Sequence, residues 1–408
     1  MVPQPLSKTL NYSSLSPPWV PPNPGFRDLS AKSNFLAIGG LARQFSLPPI
    51  HFMINPKTST RLMAWILAAF PLSLIHPLCA QKNEVSFSPN LVDEAIAKDF
   101  SADRAIVFIE DSVSRWQSNR KCVTCHTNGL HLVAASLATP TSKVFLKNRK
   151  FARDYVSGYI SGESKPIRQY GAIEGIVATS SFLAISEMTT GTKLHPDTAA
   201  ALDHAWKKQS PSGAWDNWLK CHWGPFEVDD HYGVTLATIA LSMTPPTYQR
   251  SKAPHVAKIK LRKFLRKNPP TSLHQKGMLL WASKHDAKLT SPDQSKNWIK
   301  ELKALQQKDG GWVLIQLGNQ EWKREDGKAQ SQMSDGYATA FSIFVLRQAG
   351  MGTNNPVIQS GLRWLKSNQR KSGRWFTHSP RRDGKHYITQ AATNMSLLAL
   401  ASCGELPQ

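Results

Sequence analysis

The sequence predicts an all-α chain of helical hairpins that close into a ring, and three observations carry that prediction. Amphipathic helical stretches alternate with stretches that are apolar nearly all round. The apolar stretches are rich in Ala, Ser, Thr and Gly, the residues that let helices approach closely. A Gln-x-x-x-Gly-x-Trp turn recurs as QSPSGAW (Gln209 to Trp215), QQKDGGW (Gln306 to Trp312) and QRKSGRW (Gln369 to Trp375). A helix with one apolar stripe lies on a surface, and one that is apolar all round is buried. The alternation therefore predicts an outer and an inner layer.

The elements follow in chain order. Residues 1–52, PPWVPPNPG among them, are rich in Pro and Ser without a sustained period. They are expected to be a disordered or mis-called extension, with Met53 the true start. Residues 53–80 read as a signal peptide: Arg61, an apolar run from Leu62 to Ile75, then small Cys79 and Ala80 before a cut. The run is too short to span a bilayer, and its alternative is a buried apolar helix. Export to the periplasm is the expected localisation.

Residues 81–150 form an expected N-terminal helical part. In it SADRAIVFIEDSVSRWQSNR is an outer helix with Ile106, Ile109, Val113 and Trp116 on one stripe. Residues 151–408 carry the repeats, opening with the inner helix GAIEGIVATSSFLAISEM. Outer DTAAALDHAWKK then precedes inner HYGVTLATIALSM. Outer SKNWIKELKAL precedes DGYATAFSIFVLRQAG, and outer VIQSGLRWLKS precedes QAATNMSLLALASC. A pair without the Trp turn fits KIKLRKFLRKN, with Val256, Ile259 and Phe264 inward, and LHQKGMLLWASKH. In the recurring turn Gly allows the bend, Trp supplies buried area and the Gln amide bonds exposed backbone, so its expected role is to tie neighbours together.

These turns resemble the QW repeats of squalene–hopene cyclases and of the related prenyltransferase and squalene-oxidase repeat proteins, over roughly residues 150–408. The resemblance implies an (α/α) toroid or barrel with a central apolar cavity, and an apolar or isoprenoid small molecule as ligand.

One motif stands outside the repeats. In RKCVTCHTNG, Cys122 and Cys125 are two residues apart with His126 behind them, where an outer helix ends. C-x-x-C-H is the attachment sequence of c-type haem. Each thiol adds to one porphyrin vinyl group, and the adjoining His becomes the proximal iron ligand. The five residues resemble those of c-type cytochromes, and export suits them, because that haem is attached outside the cytoplasm. One covalent haem c is the expected cofactor. Met188, Met243, Met278, Met333 and several His are open as sixth ligand. Competing readings are zinc on Cys122 and Cys125 with His126 or His131, a disulfide and a redox dithiol.

An acidic stretch, CHWGPFEVDDHYG, places Glu227, Asp229 and Asp230 before an inner helix. By resemblance to the D-x-D-D-T-A motif of squalene–hopene cyclases, Glu227 stands for the first Asp, Asp229 for the proton donor and Asp230 for its partner. The first Asp has become Glu, and His231 and Tyr232 replace the following Thr-Ala. The same acids also suit a helix N-terminus as caps. A metal held by Cys221, Asp229 and His231 is a further alternative.

The net charge of +22 over 408 residues implies an anionic partner. Residues 1–80 carry six Lys or Arg against one Asp, so cleavage leaves the mature chain strongly basic. No zinc finger, RNA-binding aromatic signature or leucine zipper accompanies the charge, and nucleic acid is not expected. The basic stretch KIKLRKFLRKN is either a solvated outer face or a docking face for anionic lipid or an acidic redox partner. The function expected is an exported c-type haem protein, transferring electrons or acting on an apolar ligand in the barrel. A terpene cyclase using Asp229 and a non-catalytic binding scaffold are the alternatives, and the residues leave the enzyme class open.

Overall fold

Capped, amphipathic segments of 12 to 19 residues alternate with apolar ones of 11 to 18, and both fold as α-helices. A computed structural model of the chain describes residues 90–163, 172–221, 223–384 and 387–406. The sequence expectations for residues 1–52 and 53–80 lie outside them. The described residues hold 14 helices and no strand beyond isolated bridges. The chain is all-α.

The outer helices are α1 (Ala102–Arg120), α3 (Lys143–Ser161), α5 (Pro196–Lys208), α8 (Lys252–Lys267), α10 (Pro292–Ala304) and α13 (Pro356–Ser367). The inner ones are α2 (Asn128–Ala138), α4 (Ala172–Thr189), α6 (Asp230–Met243), α9 (Leu273–His285), α12 (Gly336–Gln348) and α14 (Tyr387–Ser402). Two short turns of helix, α7 (Pro246–Gln249) and α11 (Leu314–Leu317), lie in connections. Side-chain caps start most of the outer helices: Ser101, Ser142, His195, Ser291 and Asn355 each accept from first-turn amides. Pro opens α5, α10 and α13, where its missing N–H costs nothing.

The inner helices bury nearly every residue. Their hydroxyls survive burial by donating one turn back, as Ser180 does to the Ile176 carbonyl and Thr238 to that of Val234. Packing among them runs α2 on α4, α4 on α6, α6 on α9, α9 on α12, α12 on α14 and α14 on α2, so the order of contacts returns to its start.

Helices α2 and α3 complete a sixth outer and inner pairing that the sequence reading lacked. The expected boundary at residue 150 falls within α3, and α1 and α2 pack against α14. On α8 the buried stripe is Pro254, Ala257, Leu261, Phe264 and Leu265. Phe264 is inward as expected, but Val256 and Ile259 are 45% and 54% exposed, a correction to the inward placement. Helical spacing puts those two opposite the Ala257–Leu261 line.

The three Gln–Trp turns share one construction. Each Gln amide donates to the carbonyl of the Gly four residues on, and each Trp indole N–H donates into the last turn of the preceding outer helix. The Gly residues sit at φ +101, +92 and +95°, and a Cβ on any of them would strike the next outer helix: Lys260 of α8, Ser360 of α13 and Arg104 of α1. Gln306 also donates to the Val357 carbonyl of α13. Gln369 exchanges two bonds of 2.8 Å with the backbone of Ser101, the cap of α1. The last turn thus fastens the C-terminal helices to the first one. Gly373→Ala combines a forbidden φ with a backbone collision, and a loss of about 2 kcal/mol or more is expected in urea unfolding.

Candidate functional site

The C-x-x-C-H loop joins α1 to α2, and the residues behind it fix its shape. Asn128 accepts from the Thr124 amide and donates to the Cys122 carbonyl, both at 3.0 Å. A Cβ at Gly129 would meet the Thr124 carbonyl and the Phe182 ring, so the loop closes onto α4 only with glycine there. Thr127 ties the loop to α14 through a hydroxyl bond to Gln390, and Asn394 donates to the Thr127 carbonyl. Sequence reasoning missed all of these residues. Thr127, Asn128 and Gly129 carried one signal, adjacency to the motif, whereas Gln390 and Asn394 on α14 carried none.

His126 packs edge-on against Trp116 of α1 and Tyr387 of α14, with centroids 5.0 and 5.5 Å away. Its Nδ1 lies 2.6 Å from the Thr127 hydroxyl. The Thr127 hydroxyl in turn donates to Gln390 of α14.

Cys122 is half-buried and Cys125 is buried, and no disulfide joins them in the structure. The Cys125 thiol donates to Glu227 Oε1 at 2.7 Å, across 102 residues of sequence. The haem motif and the acidic stretch, read separately in the sequence, therefore meet at the N-terminal end of the inner helices. Burial pushes the Cys125 thiol well up, and the Glu227 carboxylate pushes it further. Burial also raises Cys122, against the lowering effects of Trp116 and Arg120, and carries Cys221 to about 12. A reactive dithiol needs depressed thiol pKa values, so this environment opposes the thioredoxin-like alternative.

The acids divide into separate roles. Asp229 caps α6: its carboxylate accepts from the His231 amide and from Gln275 Nε2, both at 2.8 Å. Asp230 pairs with Lys220 at 3.3 Å. Glu227 is half-buried, and burial raises its carboxyl above the usual range although the Cys125 bond opposes that. Glu174 of α4 is buried, and neither oxygen has a hydrogen-bond partner among the described residues. Burial lifts it to about 7, helped by Glu227 and Asp230. Asp335 caps α12, accepts from the Ala338 and Leu314 amides, and is likewise pushed by burial to about 7. Neither Glu174 nor Asp335 was singled out in the sequence. Asp335 repeats the placement of Asp229, an acid opening an inner helix with an aromatic residue just after it.

Between α6 and α9 lies a cleft lined by Phe226, Asp229, His231, Tyr232, His274 and Trp322, with Met278 at its side. It has room for about one water molecule. His274 stacks on Phe341 and bonds the Tyr337 hydroxyl at 2.9 Å. Burial drives His274 down to about 3 and His231 to about 4, so both imidazoles are neutral at pH 7.

No protein-family model matches the chain, and a search of curated proteins finds no relative. The site therefore stands on its own geometry.

That geometry bears on the metal alternatives. Among the described residues no three His, Cys, Asp or Glu side chains are gathered as a metal site. His131 points back to Asn148, His231 to Thr235, and Asp229 to Gln275. Of the candidate sixth ligands, Met188 and Met243 end α4 and α6, some ~20 Å of helix from the N-terminal end. Met278 lines the cleft, and Met333 is 73% exposed in the connection before α12. No helix among the described residues is long and apolar enough to cross a membrane.

Proposed function

We propose that the chain is an exported c-type haem protein on a squalene-cyclase-like (α/α) toroid of six hairpins. Cys122 and Cys125 would carry the porphyrin through thioether bonds, and His126 Nε2 would bind the iron. The observation that carries this reading is the attachment motif itself, its loop held by Asn128 and Thr127 and its His bonded through Nδ1 to Thr127. The closed order of inner-helix contacts supports the toroid.

The residues fit the group in two respects. Neither cysteine is tied in a disulfide, and a thioether forms from a thiol, since S–H adds across a vinyl C=C without an oxidant. The Nδ1 bond to Thr127 orients the imidazole as a supporting hydrogen bond does for a metal-binding His. Attachment at Cys125 requires its sulfur to leave Glu227, since a thioether has no proton to donate. Bound haem supplies one-electron redox chemistry, and the chain's part is to anchor it, fix the His and set the polarity around it.

The cyclase alternative is less well supported. Asp229 acts as an acceptor for two N–H groups rather than as a proton donor. A cleft with room for about one water holds no isoprenoid.

The test is intact mass and a pyridine haemochrome spectrum on full-length protein made with haem-attachment machinery. Covalent haem on the wild type and none on Cys122→Ala/Cys125→Ala is the expected result. Folded, exported wild-type protein that is colourless and has the mass of the bare chain would overturn the proposal.

A further inference from the structure

Helix α8 carries seven Lys or Arg and no acid in 16 residues. Three of these cations are used within the fold: Lys258 donates to Gln249, Lys260 to the Gln209 carbonyl, and Arg262 pairs with Asp286. The other four, Lys252, Lys263, Arg266 and Lys267, are exposed, and none has a carboxylate within ion-pair distance among the described residues. Exposed Arg250 precedes them, and exposed Lys207 and Lys208 end the neighbouring α5. Within this field Val256 and Ile259 stand 45% and 54% exposed, one helical turn apart.

Helical spacing puts Val256 and Ile259 on the same face of α8 as Lys252, Lys263, Arg266 and Lys267. Burying the two aliphatics against the core would require rotating α8, and Leu261 and Phe264 already occupy that side. Cations ringing a small apolar ridge match an anionic lipid surface: the charges meet headgroups while the ridge enters the acyl boundary.

We propose that the outer face of α8 docks the protein on an anionic lipid bilayer, with Lys263, Arg266 and Lys267 meeting headgroups and Val256 and Ile259 inserting between them. The face does not depend on the haem reading, and its test stands whether or not the chain is coloured.

The experiment is co-sedimentation of the full chain with vesicles of phosphatidylcholine alone and with added phosphatidylglycerol. Binding only to the anionic vesicles is expected. Arg266→Glu/Lys267→Glu should weaken it about tenfold or more. Lys143→Glu/Lys147→Glu on α3 changes the net charge equally and should leave it within about twofold. Val256→Ser/Ile259→Ser, at unchanged charge, should weaken it by about threefold or more. All six positions are exposed, and thermal melts check that each variant folds. Equal losses from the α3 and α8 pairs would overturn the proposal, leaving net charge alone. No loss from the serine variant, with equally tight binding to soluble polyglutamate, would overturn it in favour of an acidic protein partner. Failure to bind anionic vesicles would also end it.

Discussion

Trp375→Ala is expected to destabilise the protein by about 3–5 kcal/mol, the range for removing a fully buried aromatic side chain. Trp375 is 0% exposed and donates its indole N–H to the Leu365 carbonyl at 2.7 Å. It belongs to the turn that fastens the last outer helix to α1, where Gln369 grips Ser101 and Arg374 pairs with Glu94. The cavity would therefore open at the seam between the two ends of the described chain, far apart in sequence. Trp375→Phe should cost less, since it retains most of the packing and loses one hydrogen bond. Urea unfolding of the three proteins measures this. A Trp375→Ala protein within about 1 kcal/mol of wild type would show that the turn does not carry the closure.

The second large effect concerns pH. Glu174 is neutral in the folded protein up to about pH 7, whereas in the unfolded chain it ionises near 4.5. The folded state therefore binds the extra proton between those values. Its contribution is fully present below about 4.5 and lost as pH rises through about 7, amounting to about 3 kcal/mol. Asp335 acts in the same direction. The buried imidazoles of His131, His231 and His274, lowered to about 4, 4 and 3, act oppositely. Their contribution is present above 6.5 and falls away as the medium becomes more acid. The wild-type profile is the sum of these, so the informative quantity is the difference from Glu174→Gln. That variant should gain about 2–3 kcal/mol on wild type in going from pH 5 to pH 8. Parallel profiles for the two proteins would mean that Glu174 finds a partner for its charge.

The helices were legible because each has a period and a boundary that a short window contains. A stripe such as Ile358, Leu362 and Leu365 marks an outer helix, and Asn355 with Pro356 marks its start. Helix α2 escaped because it buries nearly all of its 11 residues, polar Asn128, His131 and Ser136 included, and offers no stripe to read. Helix α3 escaped because the residues it buries include Asn148 and Arg149. Asn148 holds Gln117 and the Asn128 carbonyl, and Arg149 holds Ser186, so their polarity is paired inside. Val256 and Ile259 misled for the reverse reason: apolar residues were read as core, and the tighter line through Ala257 and Leu261 won the packing.

What the sequence determined by itself is local: an all-α chain, the outer and inner alternation, the three Gln–Trp turns, and a C-x-x-C-H loop ahead of an inner helix. Capping, periodicity and glycine geometry act over a few residues, and the order of side chains encodes them directly. What only the tertiary structure decided is which side chains share space. It put Cys125 on Glu227, left Glu174 without a partner among the described residues, turned Asp229 into a cap bonded to Gln275, and set Val256 outward. Those outcomes depend on how a dozen helices rotate and stack against one another, and on the desolvation of charges that follows. Neither can be read from residues taken a few at a time.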